Sequence, residues 1–398
     1  MTHKELYEDA VALLQKLVAT SSFSREEEAT ALIIKEWLES KGIDDVRRHN
    51  NNVWVNNLHF DAARPTILLC SHHDTVRPTA AWTRDPFSPT IEADEDARER
   101  LYGLGSNDAG ASVVSLAAAF RHFYDRKDLK YNLILTLVGE EEISGPGGVR
   151  SILPQLGLDE QVRGTVGALD FAIVGEPTMQ PRERELAHDA DEQKGGDGAT
   201  QSQPTRMQLA VAERGLMVLD CVAHGVAGHA ARDEGDNAIY RAMSDIEWLR
   251  TYRFPRKSPL FGEVKMSVTI IAAGTQHNVV PAECRFTVDC RVTEQYTNEE
   301  VLEAVRQNVK SEVTPRSVHL RSSSISLDHP IVEAGIELGM STFGSPTTSD
   351  QVALTHIPSV KVGPGLSARS HSADEYVELA EVEEGINMYI KLLEKILF

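Results

Sequence analysis

Apolar and polar positions along the 398-residue chain repeat with two different periods. Leu6, Val11, Leu14, Leu17 and Val18 recur at helical spacing and predict a helix over residues 3–19. "SREE", Ser24 to Glu27, has the form of a capping box and predicts a second helix ending at Lys41, ahead of Gly42. Apolar runs follow at "NVWVNNL", "TILLC", "NLILTLV" and "DFAIVG". "TILLC", Thr66 to Cys70, reads as an interior strand of a parallel sheet, whose C-terminal end is where such sheets bind ligands. The Ala-rich stretch "GASVVSLAAAFRHF", Gly110 to Phe123, predicts a helix between the second and third runs. This alternation of strand and helix predicts an α/β layer structure.

The pattern changes near residue 180. Gln180 to Arg206 holds almost no apolar residue and many Gly, Gln, Asp and Glu, so 180–206 reads as a mobile insertion. Beyond it, "MQLAVAERGLMVLDCVAHG", "EVKMSVTIIAAG" and "AECRFTVDCRVT" alternate as an antiparallel sheet does, with helical segments at "NAIYRAMSDIEWLRTY" and Glu299 to Ser311. "SVKVGPG" reads as one more strand of the first sheet. The expected organisation is a first domain of residues 1–179 and 325–398 with a second, 207–324, inserted into it.

Composition narrows the function. No apolar stretch approaches the roughly 20 residues needed to span a bilayer, and the first residues are acidic where a signal peptide is basic, which predicts a cytoplasmic protein. The four cysteines form no CxxC pair, so neither a thiolate zinc site nor a disulfide framework is indicated, and Cys70 reads as core. A formal charge of −20 opposes nucleic acid or an anionic membrane as partner.

Chemistry-bearing residues fall where strands end. "SHHDTV" follows "TILLC" with two imidazoles and Asp74; "LVGEEE" ends a run in Glu140, Glu141 and Glu142; "VGEPT" ends another in Glu176. "GLGSNDAGAS" places Asp108 in a turn ahead of the Ala-rich helix, and "GPGLSARSH" offers His371 after a glycine-rich turn. Each alone fits a polar turn or a solvated charge run; the repetition of one pattern does not. Two imidazoles and three carboxylates without thiolate suit two closely spaced divalent ions with room for water and substrate. A carboxylate within reach of the attacking water then serves as general base. "GLGSNDAG" also resembles a dinucleotide fingerprint, but the third glycine falls at Asp108, whose charge repels a pyrophosphate.

The ordered set "SHHDTV", "GLGSNDAGAS", "GEEEISGPGG", "GEPT", "VAGHAAR", "NVVPAECRFTVDCR" and "SARSHSADE" resembles the two-zinc aminoacylase and carboxypeptidase family, which includes acetylornithine deacetylase and succinyl-diaminopimelate desuccinylase. The resemblance implies a zinc-exopeptidase-like α/β sandwich catalytic domain with an inserted α+β dimerisation or lid domain. It implies two Zn2+ or Co2+ ions bridged by Asp108, one completed by His72 and Glu176 and the other by Glu142 and His371. Asp74 would orient the His72 imidazole and Glu141 would be the general base. Three consecutive glutamates leave a second register open, with these roles at Glu140 and Glu141. His229 would stabilise the oxyanion, from the partner subunit of a homodimer, and Arg291 would clamp the substrate α-carboxylate, with Asn278 and Gly365 as further substrate contacts. The implied activity is hydrolysis of an N-acyl amino acid, closest to acetylornithine deacetylase of arginine biosynthesis or its acetylcitrulline relatives. The other outcomes are a di- or aminopeptidase of the same fold and a non-catalytic metal-binding homologue.

Overall fold

The computed structural model describes residues 2–156, 169–181, 206–232, 234–355 and 357–398. Two compact units divide the chain: Met1–Val211 with Ile325–Phe343 and Ser349–Phe398, and Ala212–Ser324 with Gly344–Thr348. In this division the chain leaves the first unit after Val211, not near 180, returns at Ile325, and gives Gly344–Thr348 to the second. The reason is the strand Gln208–Glu213, which is buried along nearly its whole length and pairs with Ser359–Lys361 through Ala210 and Lys361. Its apolar residues extend the first sheet and do not open the antiparallel one. Most of the 180–206 insertion, 182–205, lies outside the described residues. Its ends meet, with the Gln180 N–H donating to the Arg206 carbonyl at 2.8 Å.

Four strands form the parallel heart of the first unit: Asn132–Val138, Thr66–His72, Leu169–Gly175 and Ser359–Lys361, in that order. Asn52–Asn56 adds to them antiparallel, beside Asn132–Val138. Both faces of this sheet are covered, which is why its strands read as continuous apolar runs. Ile67 and Leu69 pack into a helical layer built from His3–Val18, Ala111–Phe123 and Leu379–Leu397. Leu68 and Cys70 pack on the opposite face with Trp54, Ile152 and Val174. The Ala111–Phe123 helix is buried on nearly every side, as expected of a helix apolar all round.

Strand parity carries this packing to the sheet's C-terminal edge. Side chains alternate in a strand, so His72 leaves on the face of Leu68 and Cys70, and Glu176 leaves on the face of Ala172 and Val174. The register pairs Cys70 with Val174, so the two polar residues emerge side by side.

The predicted capping box at Ser24 to Glu27 does not form. The second helix spans Glu28–Ser40, and its cap residue Glu27 makes no capping hydrogen bond. Ser24 instead donates to Asp74 at 2.7 Å, and the buried Glu27 carboxylate accepts from the Arg25 N–H at 2.6 Å, Asn51 at 2.8 Å and the Glu140 N–H at 3.1 Å. Longer-range partners, Asp74 for Ser24 and Asn51 and Glu140 for Glu27, outcompete the local motif.

In the second unit Lys265–Ala273, Glu283–Val292, Gly215–His224 and Glu312–Pro315 make an antiparallel sheet in that order. Buried and part-exposed residues alternate along Gly215–His224 and Glu283–Val292. Helices Ala238–Thr251 and Asn298–Asn308 join the buried side, around Met217, Leu219, Phe286 and Val288. Among the described residues no helix is long and apolar enough to cross a membrane.

One glycine sets the turn that holds Asp108. A Cβ at Gly110 would stand 2.3 Å from the Gly105 carbonyl oxygen and 2.8 Å from Leu14 Cδ1. Gly110→Ala is therefore expected to lower stability by about 1–3 kcal/mol, the usual scale of overpacking. Urea denaturation checks this, and an unchanged midpoint would show that the turn yields freely.

Candidate metal centre

The polar residues at the sheet edge converge. His72 is buried at the end of its strand, with Nδ1 3.1 Å from the main-chain oxygen of Asp74 and 3.4 Å from its Oδ1. Nδ1 therefore carries the proton, and Nε2 faces carboxylates: Asp108 Oδ1 at 3.2 Å, Glu176 Oε1 at 3.6 Å and Glu141 Oε2 at 3.9 Å. The Asp108 Oδ2 lies 3.6 Å from His371 Nε2, which is 2.8 Å from Glu142 Oε2. Asp108 thus offers one oxygen to each imidazole. Two overlapping groups able to hold an ion result, His72 with Glu141 and Glu176, and His72 with Asp108 and Glu142.

Burial and mutual repulsion mark the electrostatics. Burial, then the charges of Glu176, Asp350 and Glu142, holds the Glu141 carboxyl well above its ordinary range, against the pull of His72. Glu176 is pushed up to about 8 by burial and by Asp108 and Asp350. Burial also raises Glu142, despite its hydrogen bond from His371. Burial opposes a charge on His72, yet Glu141, Glu176, Asp108 and Asp74 together lift its pKa well above the ordinary value. The hydrogen bond with Glu142 carries His371 up to about 9. Burial comes first at each glutamate and neighbouring carboxylates raise both imidazoles, so the cluster is short of positive charge. The donor set of imidazole nitrogens and carboxylate oxygens fits divalent ions that would supply it. His371 is the open side, 54% exposed, while Asp108 and Glu176 are 12% exposed.

Three consecutive glutamates go three ways. Glu140 turns away with a left-handed φ of +56°, and its Oε2 accepts from the Gly147 N–H at 3.1 Å. Glu141 faces His72 and Glu176; Glu142 faces His371. This geometry favours the register with Glu141 and Glu142 at the site, and gives Glu140 to the turn. Asp74 does more than touch His72: its Oδ1 accepts from the Glu141 N–H at 3.0 Å and its Oδ2 from the Glu142 N–H at 3.2 Å. The middle histidine, His73, is buried, with Nδ1 3.0 Å from Thr30 Oγ1 and Nε2 2.9 Å from the Asn51 carbonyl, so it is a structural residue.

The remaining expected residues are placed as follows. Gly365 has φ +91°, and a Cβ there would meet Asn107 Oδ1 at 2.4 Å, so the glycine is required by packing against the Asp108 turn. In the second unit His229 is exposed, and its Nδ1 accepts from the Ala231 N–H at 3.1 Å, which puts the imidazole proton on Nε2. The Asn278 carbonyl accepts from the Ala230 N–H at 3.0 Å, tying these two loops together. Arg291 grips Asp289 with two bonds, Nε to Oδ1 at 2.8 Å and an Nη to Oδ2 at 3.1 Å. Sequence reasoning missed Ser24, Glu27, Asn107 and Glu375, all of which brace the site. Glu375 stands at the end of "SARSHSADE" itself, and an acidic residue so close to a candidate ligand was the available signal.

The model of peptidase family M20/M25/M40 matches residues 68–395. Succinyl-diaminopimelate desuccinylase of Cereibacter sphaeroides is 26% identical over 97% of this chain and 98% of its own length. The protein of that name from Psychromonas ingrahamii is 25% identical over 97% and 98%. A dinuclear metal-binding M20 peptidase of Bacillus subtilis superposes with a TM-score of 0.69 at 16% identity, covering 99% of both chains. An M20 metallo-carboxypeptidase of Sulfolobus solfataricus gives 0.67 at 17% identity, over 97% of this chain and 99% of that one. These structures share the fold, and the named relatives lend no support to the acetylornithine branch. The chain belongs to peptidase family M20/M25/M40 and is a metal-dependent amidohydrolase.

Proposed function

We propose that the enzyme hydrolyses the amide bond of an N-acyl amino acid carrying a free α-carboxylate, using two divalent ions, zinc or cobalt, to each of which Asp108 would offer one carboxylate oxygen. The observation that carries this reading is the pair of Asp108 oxygens, one 3.2 Å from His72 and the other 3.6 Å from His371, with a further carboxylate beside each imidazole. His72 and Glu176 would hold one ion, Glu142 and His371 the other. Bound there, such ions supply Lewis acidity to the amide carbonyl and to the attacking water. Glu141 takes the proton of that water and returns it to the leaving amine, a role its burial and raised pKa suit. His229, with its proton on Nε2, donates to the developing oxyanion. Arg291 binds the α-carboxylate; Asp289 engages two of its five N–H donors and leaves the others for a ligand. Asn278 and Gly365 are proposed as lesser substrate contacts.

The relatives' name weighs toward a succinyl group, while the motifs resemble the acetylornithine branch as well. A panel of N-succinyl-, N-acetyl- and N-formyl-amino acids with zinc or cobalt, beside dipeptides, decides the substrate. Turnover of dipeptides alone would make the enzyme a di- or aminopeptidase. All four cysteines are free and buried, which fits the cytoplasm as the proposed location.

Glu141→Ala is expected to lower kcat by about 10^2- to 10^4-fold while both ions remain bound, because a base acts on the transition state and not on coordination. Metal content and turnover measured together check it. Loss of an ion here, with both retained in Glu142→Ala, would reverse the two roles.

Stability should report the charge deficit. Glu176 at about 8 and His371 at about 9 both lie above their unfolded values, so the metal-free folded chain binds more protons than the unfolded chain in between. The contribution of these two groups to stability therefore falls as pH rises from about 4.5 to 9. Ion binding to deprotonated ligands runs the other way. The melting temperature of chelated protein is expected to drop across this window while the gap to zinc-loaded protein widens. A gap that does not change with pH would contradict the raised values.

The edge strand Lys265–Ala273 leaves Ile270 and Ile271 exposed, and Tyr240 and Met243 are exposed on the Ala238–Thr251 helix. Such an edge is usually paired or covered, which supports a homodimer. If His229 serves the partner's site, mixing inactive Glu141→Ala chains with inactive His229→Ala chains restores roughly a quarter of all sites, by random two-fold pairing. Exchange shown by tag co-purification without recovered activity would place His229 in its own subunit's site.

A further inference from the structure

The stretch "GLGSND", set aside as a nucleotide motif, is nevertheless built to hold an anion. Gly105 is in the left-handed region with φ +75°, and the main-chain N–H groups of Gly105, Asn107 and Asp108 point to one place. Successive N–H groups arranged around a left-handed residue make an anion cradle. Here the chain fills it from within. Glu375 Oε1 accepts from Asn107 N–H at 2.8 Å and Asp108 N–H at 2.9 Å, and Oε2 accepts from Gly105 N–H at 3.1 Å. The Glu375 main-chain oxygen takes the Gly103 N–H at 2.9 Å as well. The residue is 2% exposed, in a chain segment four residues beyond His371.

We propose that Glu375 is a positioning residue of the metal centre: its carboxylate fixes the main chain of residues 105–108 and so sets the two Asp108 oxygens between His72 and His371. It touches neither substrate nor ion. The backbone of a turn sets where an aspartate side chain starts, and the Asp108 N–H is one of the three that Glu375 binds. Asn107 adds a second tie, exchanging hydrogen bonds with Leu366 at 3.0 and 3.1 Å. Of these two ties, the glutamate's is the one to the aspartate's own N–H. The side chain holds 105–108 while its own segment lies four residues beyond His371, so one residue ties the Asp108 turn to the chain segment that carries a terminal ligand. The inference rests on the two-metal reading above.

The test is Glu375→Gln, which keeps the size and removes the charge, turning an –NH2 toward donors that need an acceptor. Asp245→Asn is the control. Asp245 is also a buried carboxylate that accepts main-chain N–H bonds, from Lys310 and Ser311, but it lies in the second unit and none of its partners is a candidate ligand. Metal-free proteins are titrated with Zn2+ against a chromophoric chelator, and the visible spectrum is recorded with Co2+. In Glu375→Gln both dissociation constants are expected to rise by about 10–100-fold, the usual effect of losing a partner behind a metal ligand, and the Co2+ bands to change. Asp245→Asn should melt earlier yet bind both ions within about twofold of wild type, as expected of a change that leaves every ligand in place. Should Glu375→Gln fail to fold, Glu375→Asp, which keeps the charge but withdraws it by one methylene, is measured against the same threshold. A folded variant whose two constants match wild type overturns the assignment. Wild type that takes up fewer than two ions in the same titration overturns the two-metal reading, and this inference with it.

Discussion

The constraint on which the structure depends is the crowding of negative charge around one ring nitrogen. His72 Nε2 has three carboxylates within 3.9 Å, and Glu142 lies beyond Asp108. Buried carboxylates this close repel one another and lose their hydration, so in the absence of a cation they are stabilised by taking protons. That is why Glu176 rises to about 8 and why His72 and His371 rise instead of falling on burial. The fold keeps them together by holding main chain. Glu27 binds the Glu140 N–H, Asp74 binds those of Glu141 and Glu142, and Glu375 binds that of Asp108. Each anchor is a buried carboxylate that accepts main-chain N–H bonds, and at Glu375 burial and the Asp108 charge push the carboxyl up to about 8 against those bonds. The whole assembly is poised for divalent cations, which replace several protons at once.

The location of that charge follows from sheet geometry. Parallel strands end together at one edge, and their crossovers start there, so ligands distant in sequence arrive at adjacent positions. Cys70 and Val174 are paired in register, and moving two residues along each strand brings out His72 and Glu176. No loop has to search for this contact. Asp108 and His371, by contrast, come from turns, and these are where the structure places its extra ties: Glu375, Asn107 with Leu366, and the tight contact of Gly365 with Asn107.

Elements with one dominant signal were legible in the sequence. The first helix, the Ala-rich helix and the parallel strands lie where their periodicity puts them, because burial on one or both faces dictates residue type along their whole length. Among the candidate ligands, His72, Glu142 and Glu176 stand out in the sequence because they end or follow strands, whereas Asp108 and His371 lie in glycine-rich turns. What was not legible depended on partners far away in the chain. Ser24 fits a capping box locally, but Asp74, 50 residues on, receives its hydroxyl. "QLAVAE" reads as part of the second domain until its pairing with Lys361 assigns it to the first sheet. The choice among three glutamates turned on a backbone angle at Glu140 and on glycines at 145 and 147 that leave room for its carboxylate.

The glycine-rich turn shows how one backbone device serves opposite chemistries. A cradle of N–H groups binds phosphate when it is open to solvent and precedes a helix. Here the same kind of cradle is closed by Glu375, and the position where a nucleotide fold needs a third glycine carries Asp108. These two changes depend on each other. An open cradle beside Asp108 would leave buried N–H donors unpaired, and a filled one without Asp108 would spend a buried charge on a turn with no ligand to orient. The internal carboxylate is thus what allows a loop of phosphate-binding form to present a negative side chain to a cation.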